Sequence, residues 1–332
     1  MLPNETIKNL FSFFIRIFLS FVLMAWLFSK IDLAKMGEVL KSADLRFIGL
    51  ALIIFLAINF VLLIRWFVFI VALGLKVKFF DVLRNFFIGL FCNLFLPSAI
   101  GGDIVKAFGL SRHSEHKARV VASVILDRLS GFGGVVLVAI VAFCLGNRWV
   151  NDAAILWMIA ALTLFSLGVF IFLLNEKLYS AACQIFNRIP RVKKAFMGLH
   201  NDFALVKGKP KEVAITVGLS CLTQVVLAVI FFLILRGLNH ELSLIYFLIF
   251  SPLVCVAAAL PSIGGLGVRE FGWVYFLSKM GVASDVSLSM SLISFLFMVI
   301  VGLLGGLIYV VTVSSGRVQY RQPNPAAGRE KS

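Results

Sequence analysis

The chain has 332 residues, of which 61% are hydrophobic and 14% charged, and its mean hydropathy is +1.03. Soluble domains are about half apolar and a quarter charged, so this composition excludes an ordinary soluble protein and indicates a polytopic membrane protein. The net charge of +15 could suggest a nucleic-acid partner. Most basic residues lie between apolar runs, however, so we assign them to membrane topology and expect no nucleic-acid binding.

Six apolar runs are long enough to cross a bilayer as helices. They are Leu10–Phe28, Phe47–Leu73, Ala118–Leu145, Ala153–Leu174, Val213–Leu235 and Val286–Val313. The first run has no small-residue cleavage pattern after it, so we expect it to remain as a transmembrane helix.

One sequence motif occurs twice. Leu96–Phe108 recurs as Leu260–Phe271, and with Ala99 as an insertion eight of the twelve aligned positions are identical. Lys106 in the first copy corresponds to Arg269 in the second, and the copies start 164 residues apart, about half of the chain. Each copy contains Pro and Gly-Gly, which interrupt helices.

Each copy lies between two short apolar segments. Phe79–Leu96 precedes the first copy and Ile104–Leu110 belongs to its end; Leu242–Leu260 and Val268–Met280 flank the second in the same way. We therefore expect two re-entrant helical hairpins, which turn at Pro-Ser-(Ala)-Ile-Gly-Gly and leave the membrane on the side they entered. Non-helical backbone at that depth must be buried in protein or line a cavity.

The loop charges predict the orientation. With two re-entrant hairpins, both chain ends and the central loop fall on one side, which carries 19 basic residues against 7 on the other. The basic side is predicted to be cytoplasmic, so both termini are expected there. The hairpins then enter from opposite sides, which is typical of an inverted repeat. The predicted fold is an all-α polytopic membrane protein with six full transmembrane helices and two re-entrant hairpins.

The chain is predicted to form one transmembrane domain, residues 1–313, with a short tail, 314–332, that is polar and expected to be disordered. Its first repeat covers about 47–145 and its second about 213–313. The linker between them, 176–211, has apolar residues at steps of three and four beside several basic residues. This pattern fits either an amphipathic helix on the cytoplasmic membrane surface or a linker helix packed on the transmembrane core.

The duplicated cations are the first candidates for a site. A cation beside the N-terminus of a half-helix can bind an anion, because free N–H groups and the helix dipole add to its charge. A lipid phosphate is the natural ligand; alternatively each cation snorkels to an interface or pairs with a carboxylate. The predicted substrate-binding residues are Lys106, Arg269, Asp103, Glu270, Asp127, Arg128, Gly101, Gly102, Gly264 and Gly265.

Charged residues within apolar sequence need partners or a cavity. Asp103 could cap the half-helix after Gly102 as well as serve a site. Asp127 and Arg128 could either lock neighbouring helices together or bind substrate. Adjacent helical residues do not face each other, so we expect Arg269 and Glu270 to pair elsewhere.

Further expectations concern structure and chemistry. Arg65 could serve a site, but we expect it to snorkel to the cytoplasmic interface. Gly131, Gly133, Gly134, Gly302, Gly305 and Gly306 are small positions that let helices approach closely. His113 and His116 lie in a polar loop without further ligands nearby, so no metal site is expected. The sequence contains no P-loop, nucleophile elbow or HExxH motif, so neither a cofactor nor catalysis is expected.

Together these motifs resemble the lysylphosphatidylglycerol synthase transmembrane region family, over roughly Phe11 to Val313. The resemblance is carried by Gly101-Gly102-Asp103 with Lys106, by Ser123 and Asp127-Arg128, and by Pro261 with Gly264-Gly265-Leu266-Gly267-Val268-Arg269-Glu270. The family often has Arg at the position of Lys106, Glu at that of Asp127, and an Arg in the last helix, which is absent from Val286–Val313.

The resemblance implies a flippase-like protein of the cell inner membrane that handles an anionic, aminoacylated or isoprenoid-linked envelope lipid. A phospholipid or polyprenyl-linked lipid would be its partner. Two other functions fit the residues. One is an integral-membrane enzyme that modifies a lipid headgroup, with Asp103, Asp127 and Glu270 as acid and base. The other is a non-transporting partner of a separate lipid-modifying or glycan-assembly enzyme, docked through Arg188–Lys194.

Overall fold

A computed structural model describes residues 33–94, 96, 101–146, 153–175, 206, 208–258 and 267–314. Within these ranges the chain forms ten α-helices and no strand. In chain order they are α1 (Leu33–Lys41), α2 (Leu45–Ala72), α3 (Phe79–Asn93), α4 (Gly101–Ser111), α5 (Lys117–Gly146), α6 (Ala153–Leu174), α7 (Pro210–Gly237), α8 (Leu244–Ala258), α9 (Val268–Ser278) and α10 (Ser284–Ser314).

Four of the described helices, α2, α5, α7 and α10, are long and apolar enough to cross a membrane. They confirm four of the six predicted spans. α6 is a further apolar helix of 22 residues where a fifth span was predicted, and the first predicted span, Leu10–Phe28, lies outside the described residues. The protein is therefore an all-helical membrane protein.

α2 and α7 run antiparallel along their whole length. At one end the Asp44 N–H donates a hydrogen bond of 2.7 Å to the Gly237 carbonyl oxygen. Near the middle, Arg65 Nη1 donates to Ser220 Oγ at 3.2 Å. This pair of helices forms the centre against which the other long helices pack.

The short helices form two antiparallel hairpins, α3–α4 and α8–α9. In the first, a Cβ added to Gly89 would lie 2.8 Å from the Gly102 carbonyl oxygen, so the two backbones touch. In the second, Phe250 of α8 stacks on Phe276 of α9 with 4.9 Å between ring centroids. The turns that join the helices, including Pro97 and Pro261, lie outside the described residues.

Each hairpin packs against a long helix from the other half of the chain: α3 on α10, and α8 on α5. Glycines make the first contact close, since Gly305 faces the Phe87 carbonyl and Gly306 faces the Phe91 ring. Gly134 of α5 likewise lies against Ser220 of α7. The predicted role of these three glycines is confirmed, because a larger side chain would push the helices apart.

The predicted linker 176–211 and the predicted tail 314–332 fall almost entirely outside the described residues. Of the linker, only 206 and 208–211 are described, and Val206 is buried among apolar side chains that include Leu63 and Trp66.

The close contact between α10 and α3 gives a stability prediction. Gly305→Ala places a methyl group against the Phe87 backbone and should lower the free energy of unfolding by about 1–3 kcal/mol. Gly218→Ala is the matched control, because that position has open space around it. Thermal unfolding in detergent, followed by tryptophan fluorescence, measures both; equal melting temperatures would contradict the packing.

Candidate functional site

Five charged side chains from three helices meet in what we call the first charge cluster: Arg65 on α2, Asp103 and Lys106 on α4, and Asp127 and Arg128 on α5. Asp127 is its centre. Arg65 Nε lies 2.7 Å from Asp127 Oδ1 and Lys106 Nζ lies 3.6 Å from Asp127 Oδ2. Asp127 is thus the carboxylate that joins α2 to α4 through α5.

Lys106 is buried among acidic and aromatic side chains. Its Nζ lies 3.0 Å from Asp103 Oδ1 and 4.8 Å from the centre of the Trp66 ring, with the Phe86 ring at 5.8 Å. Its exposed fraction is 6%. Two carboxylates and two aromatic faces compensate the cost of burying this ammonium.

Arg128 is the most accessible member of the cluster. Its Nε donates to Asp103 Oδ2, yet half of its side chain is exposed. Its side chain is therefore the one of this cluster that is most open to an approaching group.

Hydroxyl groups complete the shell around these charges. Ser220 Oγ accepts from Arg65, lies 2.8 Å from Ser130 Oγ and donates to the Thr216 carbonyl. Trp66 Nε1 donates to Ser123 Oγ at 3.1 Å, which fixes the ring under Lys106. These bonds hold the charged side chains in single orientations.

Gly101 and Gly102 begin α4, as expected for residues that follow the turn. The Gly102 N–H donates to Asn93 Oδ1 at 2.8 Å, so the side chain of Asn93 on α3 caps this helix. The capping role considered for Asp103 is therefore wrong; its carboxylate pairs with Lys106 and Arg128 instead. Asp103 still lies in the first turn, where a negative charge interacts favourably with the helix dipole.

The second charge cluster consists of Arg269 and Glu270 on α9 with Ser291 on α10. Arg269 Nη2 lies 2.5 Å from Glu270 Oε1, and Arg269 Nε and Ser291 Oγ lie 3.2 Å apart. Glu270 Oε2 also accepts from the Gly267 N–H at 2.7 Å. Glu270 is fully buried and Arg269 is 7% exposed.

Arg269 and Glu270 each have a further partner, as expected: Ser291 Oγ for Arg269 and the Gly267 N–H for Glu270. The premise that these neighbours do not meet is wrong, because they also pair with each other. Glu270 is the third residue of α9 and turns back to cap the Gly267 N–H, as a carboxylate in a first turn does. That turn brings its other oxygen within reach of the neighbouring guanidinium. Gly267 has a φ of 85°, a conformation that suits glycine and allows this geometry.

The expectation that Arg65 snorkels is also wrong. Arg65 is 7% exposed and its guanidinium faces inward to Asp127. Gly131 leaves space for this guanidinium, since a Cβ at that position would lie 3.1 Å from Arg65 Nη1. The direction in which Arg65 points depends on how α2 is rotated about its axis. The sequence of α2 does not reveal this rotation, because apolar residues occupy every side of the helix.

The described contacts place the predicted site residues in two groups. Lys106, Asp103, Asp127 and Arg128 meet in the first cluster, and Arg269 with Glu270 in the second. Gly264 and Gly265 lie outside the described residues. Sequence reasoning did not identify Arg65, Asn93, Ser220 and Ser291 as partners of these residues. The available signal was an arginine within an apolar helix, together with another helix rich in small polar residues.

His113 has local partners. Its Nε2 lies 3.0 Å from Arg84 Nη2 and its Nδ1 lies 3.1 Å from the Gly109 carbonyl oxygen. Among the described residues no three His, Cys, Asp or Glu side chains are grouped as metal ligands.

Residues 13–306 match the protein family described as the lysylphosphatidylglycerol synthase TM region. The chain belongs to this family. The resemblance carried by the duplicated motif is thereby confirmed, and because the match concerns a transmembrane region, it gives no support to catalysis by this segment.

One curated relative is a UPF0104 membrane protein from Pyrococcus horikoshii, 32% identical over 109 residues. The match covers 32% of this chain and 32% of the relative, so the chain spans about a third of the length of the curated relative it matches. No solved structure gave a significant match.

The geometry of the first cluster predicts a large effect of removing its central charge. Asp127→Asn leaves Arg65 and Lys106 buried without that carboxylate and should lower the free energy of unfolding by about 3–5 kcal/mol. Glu241→Gln is the control, because the Glu241–Arg236 pair is exposed and worth about 0.5 kcal/mol. Thermal unfolding of both purified variants measures the difference; a loss for Asp127→Asn no greater than the control's would contradict a structural role.

Proposed function

We propose that this protein moves an anionic lipid across the cell inner membrane. The observation that carries the proposal is the charge balance of the first cluster. Among the described residues, three cations of this cluster face two carboxylates, an excess of one positive charge. Excess charge in a low-dielectric surrounding is costly and favours an incoming anion.

The accessible side chain is Arg128. A lipid phosphate that reaches this cluster would meet the half-exposed guanidinium of Arg128 and compete with Asp103 for it. Arginine binds phosphate through paired N–H donors, which makes it well suited to this exchange. Lys106 and Arg269 are too enclosed for first contact, because each is buried against a carboxylate. We assign Lys106 a share of the positive potential of the first cluster.

Matched helix lengths support an inverted repeat. α2 and α7 have 28 residues each, α3 and α8 have 15, α4 and α9 have 11, and α5 and α10 have 30 and 31. The two hairpins also pack in equivalent ways, because each contacts the last long helix of the opposite half. Two halves of opposite orientation could rock around a site between them and expose it alternately to each side.

The hairpin helices support the re-entrant interpretation. A helix of 15 residues is about 22 Å long at 1.5 Å per residue, and the hydrocarbon core is about 30 Å thick. α3 and α8 are therefore too short for ordinary spans. On this basis we propose that both hairpins turn within the membrane, with both chain termini on the cytoplasmic side.

A phosphate is common to phospholipids and polyprenyl-linked lipids, so either class fits the site. An enzyme that alters a headgroup, or a non-transporting partner of such an enzyme, would use the same charges. The transport assay separates these functions. An enzyme yields a chemically changed lipid, and a non-transporting partner moves no lipid without its complex.

Transport should depend on Arg128. In proteoliposomes that carry a fluorescent anionic phospholipid, Arg128→Gln should reduce translocation at least tenfold, the effect of losing about 1.4 kcal/mol of phosphate binding. Arg236→Gln makes the same chemical change at an exposed arginine that pairs with Glu241 and should leave the rate unchanged. Equal rates in all three proteins, with an active parent, would refute the assignment.

The inverted repeat predicts opposite exposure of the two hairpin bases. In a variant whose five cysteines are replaced by alanine, Glu115→Cys should react with a membrane-impermeant maleimide only from the cytoplasmic side. Glu241→Cys, at the base of the other hairpin, should react only from outside. Labelling of both positions from one side would contradict the inversion.

A further inference from the structure

α7 carries a stripe of polar side chains on one buried face. Thr216, Ser220 and Gln224 follow each other at steps of four residues, and each is less than a tenth exposed. Residues at this spacing lie on the same side of a helix. Thr216 donates to the Val213 carbonyl and Ser220 joins the first charge cluster.

Gln224 differs from the other two members of the stripe. Its exposed fraction is 6%, and within the described part of the chain no group donates a hydrogen bond to its Oε1. Buried amide oxygens nearly always have a donor, because leaving one unpaired is costly. An orphan acceptor on a polar stripe points to a ligand that supplies the donor.

The position of Gln224 relates it to the site already described. It follows Ser220, the partner of Arg65, by one helical turn, which places the two side chains about 6 Å apart. Beyond it the same face of α7 is apolar: Ala228 is buried, and Phe231 packs on Trp273 with 4.3 Å between ring centroids. Gln224 is therefore the last polar group on this face before an aromatic contact.

Trp273 lies one turn after Arg269 on α9. The segment of α7 from Ser220 to Phe231 thus runs from the first charge cluster to the neighbourhood of the second. Gln224 lies on this segment, one turn from its charged end.

We propose that Gln224 is a selectivity residue of the lipid site: its Oε1 accepts a hydrogen bond from a hydroxyl or ammonium group on the headgroup whose phosphate is held at Arg128. The proposal rests on the proposed transport function. An amide oxygen only accepts, so a headgroup without a donor leaves it unpaired. A site built to hydrogen-bond its substrate disfavours an analogue that lacks the donor for this reason.

Three fluorescent lipids with identical acyl chains test the proposal in proteoliposomes of the full chain. Phosphatidylglycerol offers hydroxyl donors, phosphatidylserine offers an ammonium, and phosphatidylmethanol carries one negative charge and no headgroup donor. The parent should move at least one donor lipid faster than phosphatidylmethanol, and which one it prefers distinguishes hydroxyl from ammonium.

Gln224→Leu should slow the preferred donor lipid about three- to tenfold, the usual effect of losing one hydrogen bond, and leave phosphatidylmethanol unchanged. Thr223→Val is the matched control: Thr223 is the buried neighbour of Gln224, but its hydroxyl already donates to the Ser220 carbonyl at 2.7 Å. Size-exclusion profiles and melting temperatures establish that both variants are folded.

An equal effect of Gln224→Leu on all three lipids, or no effect on any, would overturn the selectivity role while leaving transport intact. A parent that moves none of the three lipids would instead refute the transport function, and the selectivity role with it. Loss of preference with Thr223→Val as well would also count against Gln224, because it would assign selectivity to the packing of α7.

Discussion

The carboxylate of Asp127, shared between Arg65 and Lys106, is the interaction on which the arrangement of helices depends. A charge within a membrane protein must face a partner or water, and each of these three has at least one partner on another helix. α2, α4 and α5 can satisfy them only if they meet at this point. α4 is too short to span a bilayer, and its position is tied to the long helices through Lys106.

The two charge clusters are built differently although their sequences are related. Among the described residues, the first joins three helices through three cations and two carboxylates, whereas the second pairs two adjacent residues of opposite charge on one helix. The difference follows from the acids: Asp103 points from α4 toward Arg128 on α5, and Glu270 turns back on its own helix end. The first cluster thus ties α2, α4 and α5 together, and the second holds the start of α9.

Small residues allow the helices to pack closely, including one of the hairpins. Gly305 and Gly306 bring α10 onto α3, and Gly134 brings α5 onto α7. Lipid tails are as apolar as leucine, so helices in a membrane associate through such close contacts and polar bonds rather than through burial of apolar surface. Because each hairpin packs against a long helix of the opposite half, movement of one half relative to the other must shift a hairpin against its own flanking helices.

The sequence by itself determined the membrane class, four of the described spans, the hairpin helices and the family, because apolar runs of about 20 residues and a repeated Pro and Gly-Gly motif are local properties of the chain. It also identified the charged residues of both clusters except Arg65. Only the tertiary structure decided how they pair: Arg65 faces inward, Asn93 caps α4, Glu270 pairs with its neighbour, and Arg128 rather than Lys106 is accessible. The rotation of an apolar helix and the reach of a long side chain depend on which helices surround them, and α2 is apolar on every side, so its sequence carries no record of that choice.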